Sequence, residues 1–441
     1  MNKLYSFLGI LLLLSLSQPI KAQREVVTAG QYLRKANTAY AERNYNRALE
    51  CYDVVLKDNP NPDNKDIIWN AAESARLTHH YVVAENYYQL LAKTDVAKNY
   101  PKLNLNWAQV RKSLENYDGA IQLLQVYAGS AAIASTVNNE KNEAQAEIEA
   151  CEWAKTIANP DLAKYKLTSV GDKVNTPYTD LAPRQHNGVL YYSTAFFPKK
   201  EDAKPVLHIF SNDMKKESVD LPFNSTKEGE STTHFALNTE GGRVYFNQCQ
   251  QKDNGEFHCE IFYRDKNTDG SWKDVVRLPD TINTTAFTAS QPAIGFDKAT
   301  GREVLYFVSD RKGGKGGMDI WYSDISADGK FSIPQNLSSV NTAKDDITPY
   351  FLKDNQYLFF SSNGYKSLGG LDIYYVQKML MVLGLRLNMA VIRSIRATTI
   401  HIIRLKMDVF TLFQIEKAAF ATQPKKIVSA TIFTSMTSRL T

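Results

Sequence analysis

The chain has 441 residues, 43% hydrophobic and 22% charged, with a formal net charge of +5. That length calls for two domains or more rather than one core. Residues 379–441 hold nine Lys and Arg against Asp408 and Glu416, a net +7 that leaves −2 for all that precedes, so the basic balance belongs to the tail and is no footprint of nucleic acid. Four Cys in so long a chain exclude a disulfide framework.

In chain order, Lys3, an uncharged apolar run over residues 7–16 and Pro19-Ile20-Lys21-Ala22 ahead of Gln23 have the layout of a secretory signal peptide over residues 1–22. The apolar run is too short to span a bilayer as a helix. Export is the expectation. With no Cys beside the cleavage point a lipid anchor is not indicated, and the mature N-terminus near Gln23 should be free.

Residues 29–158 carry an internal repeat. Asn44-Tyr45, His80-Tyr81 and Asn116-Tyr117 are followed by Ala48, Ala84 and Ala120, and then by Tyr52, Tyr88 and Leu124, at an offset of 36 residues both times. Each block reads as two amphipathic helices, so the spacing predicts three stacked helix hairpins, with a capping helix around 139–156. The small Ala lets the two helices of a pair approach closely, and Pro60 stops the first pair because proline cannot continue a helix. His79-His80 fall in a turn, where capping rather than metal binding is expected.

With Ala36, Tyr40, Ala48, Tyr52 and Pro60 at signature positions, this segment resembles tetratricopeptide repeats, departing from them in its 36-residue spacing and in Lys35 at a usually apolar position. The resemblance implies a concave groove for partner peptides, lined by the first helix of each pair. Here the lining would be Arg34, Asn37, Asn70, Glu73, Arg76, Asn106, Gln109 and Lys112. The alternative is that these are solvated helix faces.

From residue 165 to 378 the pattern turns all-β. Four apolar strands, Val189-Leu190-Tyr191-Tyr192, Arg243-Val244-Tyr245-Phe246, Val304-Leu305-Tyr306-Phe307 and Tyr357-Leu358-Phe359-Phe360, end 54, 61 and 53 residues apart. Similar lead-ins precede them: Leu181-Ala182-Pro183, Thr233-His234-Phe235, Ser290-Gln291-Pro292 and Ile347-Thr348-Pro349. A unit of this length with several strands matches a propeller blade, and about four are present. Cys249 and Cys259 flank Asp253-Asn254-Gly255 symmetrically, so a hairpin there would set them opposite each other as a disulfide, the alternative being two free thiols.

The string Ser309 to Ser323, with Asp310, Arg311, Gly313, Gly314, Gly316, Gly317 and Asp319, is echoed by Gly369, Gly370 and Asp372. It opens a strand and not a helix, so it is no phosphate loop. The glycines are expected to give a tight turn by adopting positive φ, with Asp319 and Asp372 bonding nearby amides. Together with Val340-Asn341-Thr342, Asp345-Asp346 and Pro349, these strings resemble the WD40-like repeats of TolB-type propellers. The order of signal peptide, helical repeats and propeller is similar to exported envelope proteins of Bacteroidetes-type bacteria, some associated with type IX secretion. Those typically continue into an OmpA-like, peptidoglycan-gripping domain. This chain does not show one, so peptidoglycan is not an expected partner.

Residues 379–441 lack turn clusters and blade strings. A slip of reading frame near Lys378 accounts for this. Joining the last base of each codon to the first two of the next lets 379–384 read Asn-Ala-Asp-Gly-Ser-Trp, matching Asn267-Thr268-Asp269-Gly270-Ser271-Trp272. It also lets 414–419 read Asn-Arg-Lys-Gly-Gly, matching Asp310-Arg311-Lys312-Gly313-Gly314. The tail is therefore expected to lie outside the native fold, leaving the propeller incomplete with exposed faces and edges. Taken literally, it would be a basic, partly apolar segment able to touch a membrane, which the slip makes doubtful.

The sequence thus predicts a multidomain α plus all-β protein, a tetratricopeptide-like solenoid followed by an incomplete WD40-like propeller. No Gly-x-Ser-x-Gly, His-Glu-x-x-His, Cys-x-x-Cys or Walker string occurs, and the His do not cluster, so no catalytic residue, metal or cofactor is expected. The expected role is a non-catalytic scaffold in the periplasm, at the outer membrane, binding envelope proteins through groove and propeller. A propeller-based receptor for a small ligand or glycan is the alternative, and a peptidase-associated propeller is the third reading.

Overall fold

The computed structural model describes residues 28–95, 97–129, 139–156, 167–169, 172–176, 180–196, 206–213, 217–252, 256–353, 356–377, 388–389, 402–405, 411–415 and 430–434. The expected signal peptide lies outside them. Seven α-helices come first among the described residues: Ala29–Ala41 with Tyr45–Asp58, Asp66–Leu77 with Tyr81–Ala92, Leu103–Ser113 with Tyr117–Ala128, and then Asn139–Thr156. None is long and apolar enough to cross a membrane.

One turn geometry recurs in all three pairs. Arg43, His79 and Glu115 take φ of 59°, 61° and 60°. The next amide then reaches back five residues, from Asn44 to the Ala39 carbonyl, from His80 to Ala75 and from Asn116 to Arg111, at 2.7–2.8 Å. This left-handed stop satisfies the orphan carbonyls of the first helix. Asn44 and Asn116 at once begin the second helix, their side chains accepting from the amides of Arg47 and Gly119. Between the helices, Ala36, Ala48, Ala84 and Ala120 are fully buried, with Tyr52, Tyr88 and Leu124 closing the layers. The repeat seen in the sequence is therefore a packing repeat.

Four sheets of four antiparallel strands follow in a propeller-like arrangement. Blade 1 runs through Asp180–His186, Val189–Phe196, Val206–Asn212 and Val219–Asp220, and blade 2 through Glu230–Leu237, Arg243–Gln251, Phe257–Asp265 and Val276–Arg277. Blade 3 comprises Ser290–Asp297, Arg302–Ser309, Asp319–Asp324 and Gln335–Asn336, and blade 4 comprises Asp346–Leu352, Tyr357–Ser362, Asp372–Gln377 and Asn388–Met389. The cores lie between neighbouring blades. Ile209 and Phe223 of blade 1 meet Phe235 and Phe246 of blade 2, Tyr245 and Ile261 of blade 2 meet Leu305 and Phe307 of blade 3, and Tyr306 and Ile320 of blade 3 meet Phe351 and Phe360 of blade 4. Leu167–Ser169 joins Ile402–Leu405, Ala430–Thr434 and Thr411–Ile415 in a fifth sheet, although the sequence of that tail shows no blade pattern.

Each innermost strand is broken at the same place. The register shifts between Leu181 and Arg184, Thr233 and Ala236, Ser290 and Ala293, and Ile347 and Tyr350. Within each shift a residue takes positive φ: Ala182 at 50°, His234 at 58°, Gln291 at 53° and Thr348 at 55°. Such bulges re-aim side chains, and here they do so around the propeller axis.

Helices and propeller meet through blade 4. Leu368, in the turn before the strand Asp372–Gln377, is buried in the cluster formed by Tyr117, Ala120, Leu124, Ala144 and Cys151 of the last helices. Its carbonyl accepts from the Tyr117 hydroxyl at 3.0 Å. Away from that contact, Arg43 pairs with Glu256 of blade 2 at 3.0 Å, an exposed ion pair of small weight.

Candidate functional site

The eight residues expected to line a helical groove divide into three groups, of which Asn70 and Arg76 are half-buried. Arg34, Asn37 and Gln109 are exposed. Glu73, Asn106 and Lys112 are buried and do not line an open groove, which corrects the sequence reading for these three. The reason is mutual satisfaction of polar groups that burial would otherwise penalise. Glu73 accepts from Asn106 Nδ2 at 2.8 Å, from Arg76 at 2.7 Å and from the Tyr88 hydroxyl. Burial first, and the Glu73 charge second, push the Tyr88 hydroxyl up. Arg76 also reaches Gln109 at 3.4 Å, while Asn37 and Asn70 both bond the Tyr52 hydroxyl, at 2.8 and 3.3 Å. Asn recurring at one register was the visible signal, and it marks an internal polar ladder tying successive helix pairs together.

The glycine strings serve the turns they were expected to serve, by a different device. Of Gly313, Gly314, Gly316, Gly317, Gly369 and Gly370, only Gly313 has positive φ. Gly316 is required by close approach instead, since a Cβ there would overlap the Lys344 carbonyl. Asp319 accepts from the amides of Lys315 and Gly316 and from Asn336 Nδ2, and Asp372 from the amides of Leu368 and Gly369 at 2.7 and 3.2 Å. Asp310 accepts from the Thr288 amide at 2.8 Å, and Arg311 donates to the Thr281 carbonyl at 3.0 Å while lying over the Phe307 and Trp321 rings. Cys249 and Cys259 face each other across adjacent strands and form a disulfide, while Asp253-Asn254-Gly255 lies outside the described residues.

Sequence reading missed a second repeat. Asn224, Asn283 and Asn341 each imitate a strand: Oδ1 accepts from the amide of Ile209, Ile261 or Ile320 at 2.8–3.0 Å, and Nδ2 returns to the carbonyl of that same isoleucine at 2.8 Å. The signal was present as Leu221 to Asn224, Leu278 to Asn283 and Leu337 to Asn341, where the apolar start hides the register of the Asn.

A pocket opens on the propeller axis, its walls supplied by all four innermost strands. It encloses about 160 Å³ and is lined by Arg184, Gln185, His186, Phe235, Ala236, Leu237, Asn238, Ala293, Ile294, Tyr350 and Phe351. The bulges lie beside these groups, and a chain of hydrogen bonds between successive blades holds three of the four bulges. The His234 amide donates to Ser193 Oγ at 3.2 Å, the Gln291 amide to Asn247 Oδ1 at 3.1 Å and the Thr348 amide to Gln291 Oε1 at 2.6 Å.

Arg184 dominates the pocket electrostatically. It donates to the Pro183 and Pro349 carbonyls at 3.1 and 3.3 Å and lies 4.9 Å from the Tyr350 ring centroid. Burial lowers its pKa to about 10. Burial, and after it the Arg184 charge, lowers the His234 pKa to about 3, so that imidazole is neutral.

No family model and no curated protein matches the chain. Among solved structures it is similar to a thermostable family-43 glycoside hydrolase, at 13% identity over 47% of this chain and 73% of that one, with a TM-score of 0.29. It is also similar to an alpha-L-arabinofuranosidase from Lactobacillus brevis, at 11% identity over 48% and 70% with a TM-score of 0.32, and to a puromycin hydrolase, at 12% over 45% and 37% with a TM-score of 0.29. These likenesses overturn the expectation of a non-catalytic scaffold that is no enzyme. Missing motif strings do not by themselves exclude catalysis. At such TM-scores the likenesses assign no reaction to this chain. Neither the tetratricopeptide assignment nor an association with type IX secretion finds a match in them.

Proposed function

We propose that this chain is an exported binding protein whose propeller receives a small molecule in its axial pocket. The helical half would be a tetratricopeptide-type array and the β half a WD40-like propeller. The observation that carries this reading is the convergence of four bulged inner strands on one cavity with mixed apolar and polar walls, the arrangement expected of a small-molecule site. Volume sets the ligand class. A cavity of 160 Å³ is well below the roughly 300–1,000 Å³ of pockets that hold drug-sized ligands, so the part of a ligand held inside it is a single small residue or acid.

The test is a ligand-observed NMR screen of a fragment library against the purified protein and its Ala293→Leu variant. Ala293 is buried in the pocket wall, so the added carbons fill space a ligand would use. Fragments that bind the parent protein and lose affinity for a variant of unchanged melting temperature support the reading. Fragments that ignore the substitution, or a screen with no binders, refute it. Export is tested separately by sequencing the N-terminus of the periplasmic protein, which should begin at Gln23.

A further inference from the structure

We propose that the axial pocket is selective for a small carboxylic acid with an apolar body, its carboxylate held by Arg184. This rests on the reading of the pocket as a ligand site and names its chemistry. The charge around Arg184 is unbalanced. Among the described residues no carboxylate pairs with Arg184, and none lines the pocket. A guanidinium has five N–H donors in a planar fork. Among the described residues Arg184 makes two hydrogen bonds, both to main-chain carbonyls. The remaining donors belong to a side chain that forms part of the cavity wall, and the stack on Tyr350 fixes the plane of the fork. A partly buried arginine without an acidic partner is costly unless an anion completes it.

A second observation is independent of the first. The side-chain amide of Asn247 is oriented by its Oδ1, which accepts from the Gln291 amide, so its Nδ2 faces His234 Nδ1 as a donor at 3.2 Å. With Nδ1 accepting, the neutral ring carries its proton on Nε2. That Nε2 is buried with no hydrogen-bond partner among the described residues. His234 stands behind the pocket wall and not in it, but close enough for the Arg184 charge to act on its ring, and its orphaned donor adds to the same preference for an acceptor. Phe235, Leu237, Ile294 and Phe351 supply the apolar part of the wall. A bidentate fork favours the flat, two-oxygen geometry of a carboxylate, and the apolar walls favour a hydrocarbon or aromatic body behind it.

The probes are acetate, butyrate and benzoate, each with its neutral amide, titrated into the full-length protein by isothermal calorimetry and ligand-observed NMR. Affinity should rise from acetate to benzoate, and each acid should bind about tenfold or more tightly than its amide, the discrimination one charge-assisted hydrogen-bonded pair provides. Arg184→Gln should abolish that discrimination and Arg184→Lys should restore only part of it. Should Arg184→Gln fail to fold, the acid-to-amide ratio in the parent protein and its reduction in Arg184→Lys decide the matter. Amides binding as well as acids would overturn the carboxylate inference while leaving the pocket a ligand site. If neither series binds, while other fragments respond to Ala293→Leu, the inference also fails and the broader reading stands. If no fragment responds, both fail together.

Discussion

Lys112 Nζ stands 2.7 Å from Ser367 Oγ, joining a helix to a propeller turn 255 residues further along the chain. The same ammonium is 2.7 Å from Glu147 of the last helix, and Glu147 is 3.1 Å from Lys344, beside blade 4. Lys112 is almost fully buried, and Leu368, next to Ser367, is buried among the helices. The turn therefore acts as a plug with an apolar tip and a charged collar. In an array of helix pairs, whose units contact only their neighbours, such a plug fixes the angle at which the whole array meets the propeller.

Removing the tip should separate the two halves without unfolding either. Leu368→Asp sets a carboxylate where the helices offer an apolar site, and a cost of several kcal/mol at the junction is expected. Small-angle scattering should show an increased maximum dimension while circular dichroism stays unchanged. Leu368→Ala should cost about 2–4 kcal/mol, at the usual price of a buried leucine. Unchanged scattering from Leu368→Asp would mean that the halves are held by something other than this turn.

Acid should loosen the same junction. Burial pushes the Glu147 carboxyl up, but the charges of Lys112 and Lys344 outweigh it and hold its pKa below the ordinary 4.5. A carboxylate with a depressed native pKa contributes stability that is complete above its unfolded value and is lost as pH falls through the native one. Asp372, whose carboxyl is raised by burial, contributes in the opposite sense, its stabilisation declining as pH rises. Protection of the amides in the turn 366–371, taken as intrinsic over observed exchange rate at each pH, should fall as the pH drops below about 4.5, and Glu147→Gln should already show the lowered protection at neutral pH. Parallel pH profiles for the two proteins would remove Glu147 from the account.

The asparagine stitches should rank among the most sensitive polar positions of the propeller. Asn283 is 1% exposed and bonds both the amide and the carbonyl of Ile261, itself fully buried. Asn283→Ala orphans the Ile261 amide, while the Ile261 carbonyl keeps the Leu278 amide at 3.1 Å, and this costs about 1–3 kcal/mol. For a domain of some 200 residues that is a fall in Tm of roughly 2–12 °C. Calorimetry should find the same ranking for Asn224 and Asn341, and a loss no larger than for the half-buried Asn238 would show that water replaces the stitch.

Much of this fold was legible because its repeats are written in residue types with a single physical use. Alanine at the helix crossings, aromatic pairs in the second strands and glycines before Asp319 and Asp372 all mark positions where size or backbone geometry leaves few alternatives. The axial pocket was not legible. Ala182, His234, Gln291 and Thr348 occupy one structural position yet share no chemistry, because a left-handed bulge residue is selected by backbone geometry and not by side-chain type. The burial of Lys112 was hidden for another reason. Its partners come from residues 147 and 367, and no periodicity within the helices reports on a turn of the fourth blade.

His234 offers a pH signature of the axis itself. Its native pKa of about 3 lies below the ordinary 6.5 because burial, and then the Arg184 charge, disfavour the imidazolium. The unfolded chain therefore binds one more proton than the native protein throughout the interval between those values. Stability should fall as the pH drops from 6.5 toward 3, by on the order of 1 kcal/mol per pH unit. Carboxylates elsewhere titrate in the same range, so the informative quantity is a difference. Between pH 7 and pH 5 the parent protein should lose on the order of 2 kcal/mol more than His234→Gln, measured as urea midpoints multiplied by their slopes. Equal losses would mean that water reaches the ring and that its Nε2 proton already has an acceptor. Burial of that donor is one of the two supports for an anion on the axis, so this comparison bears on the pocket's chemistry before any ligand is in hand.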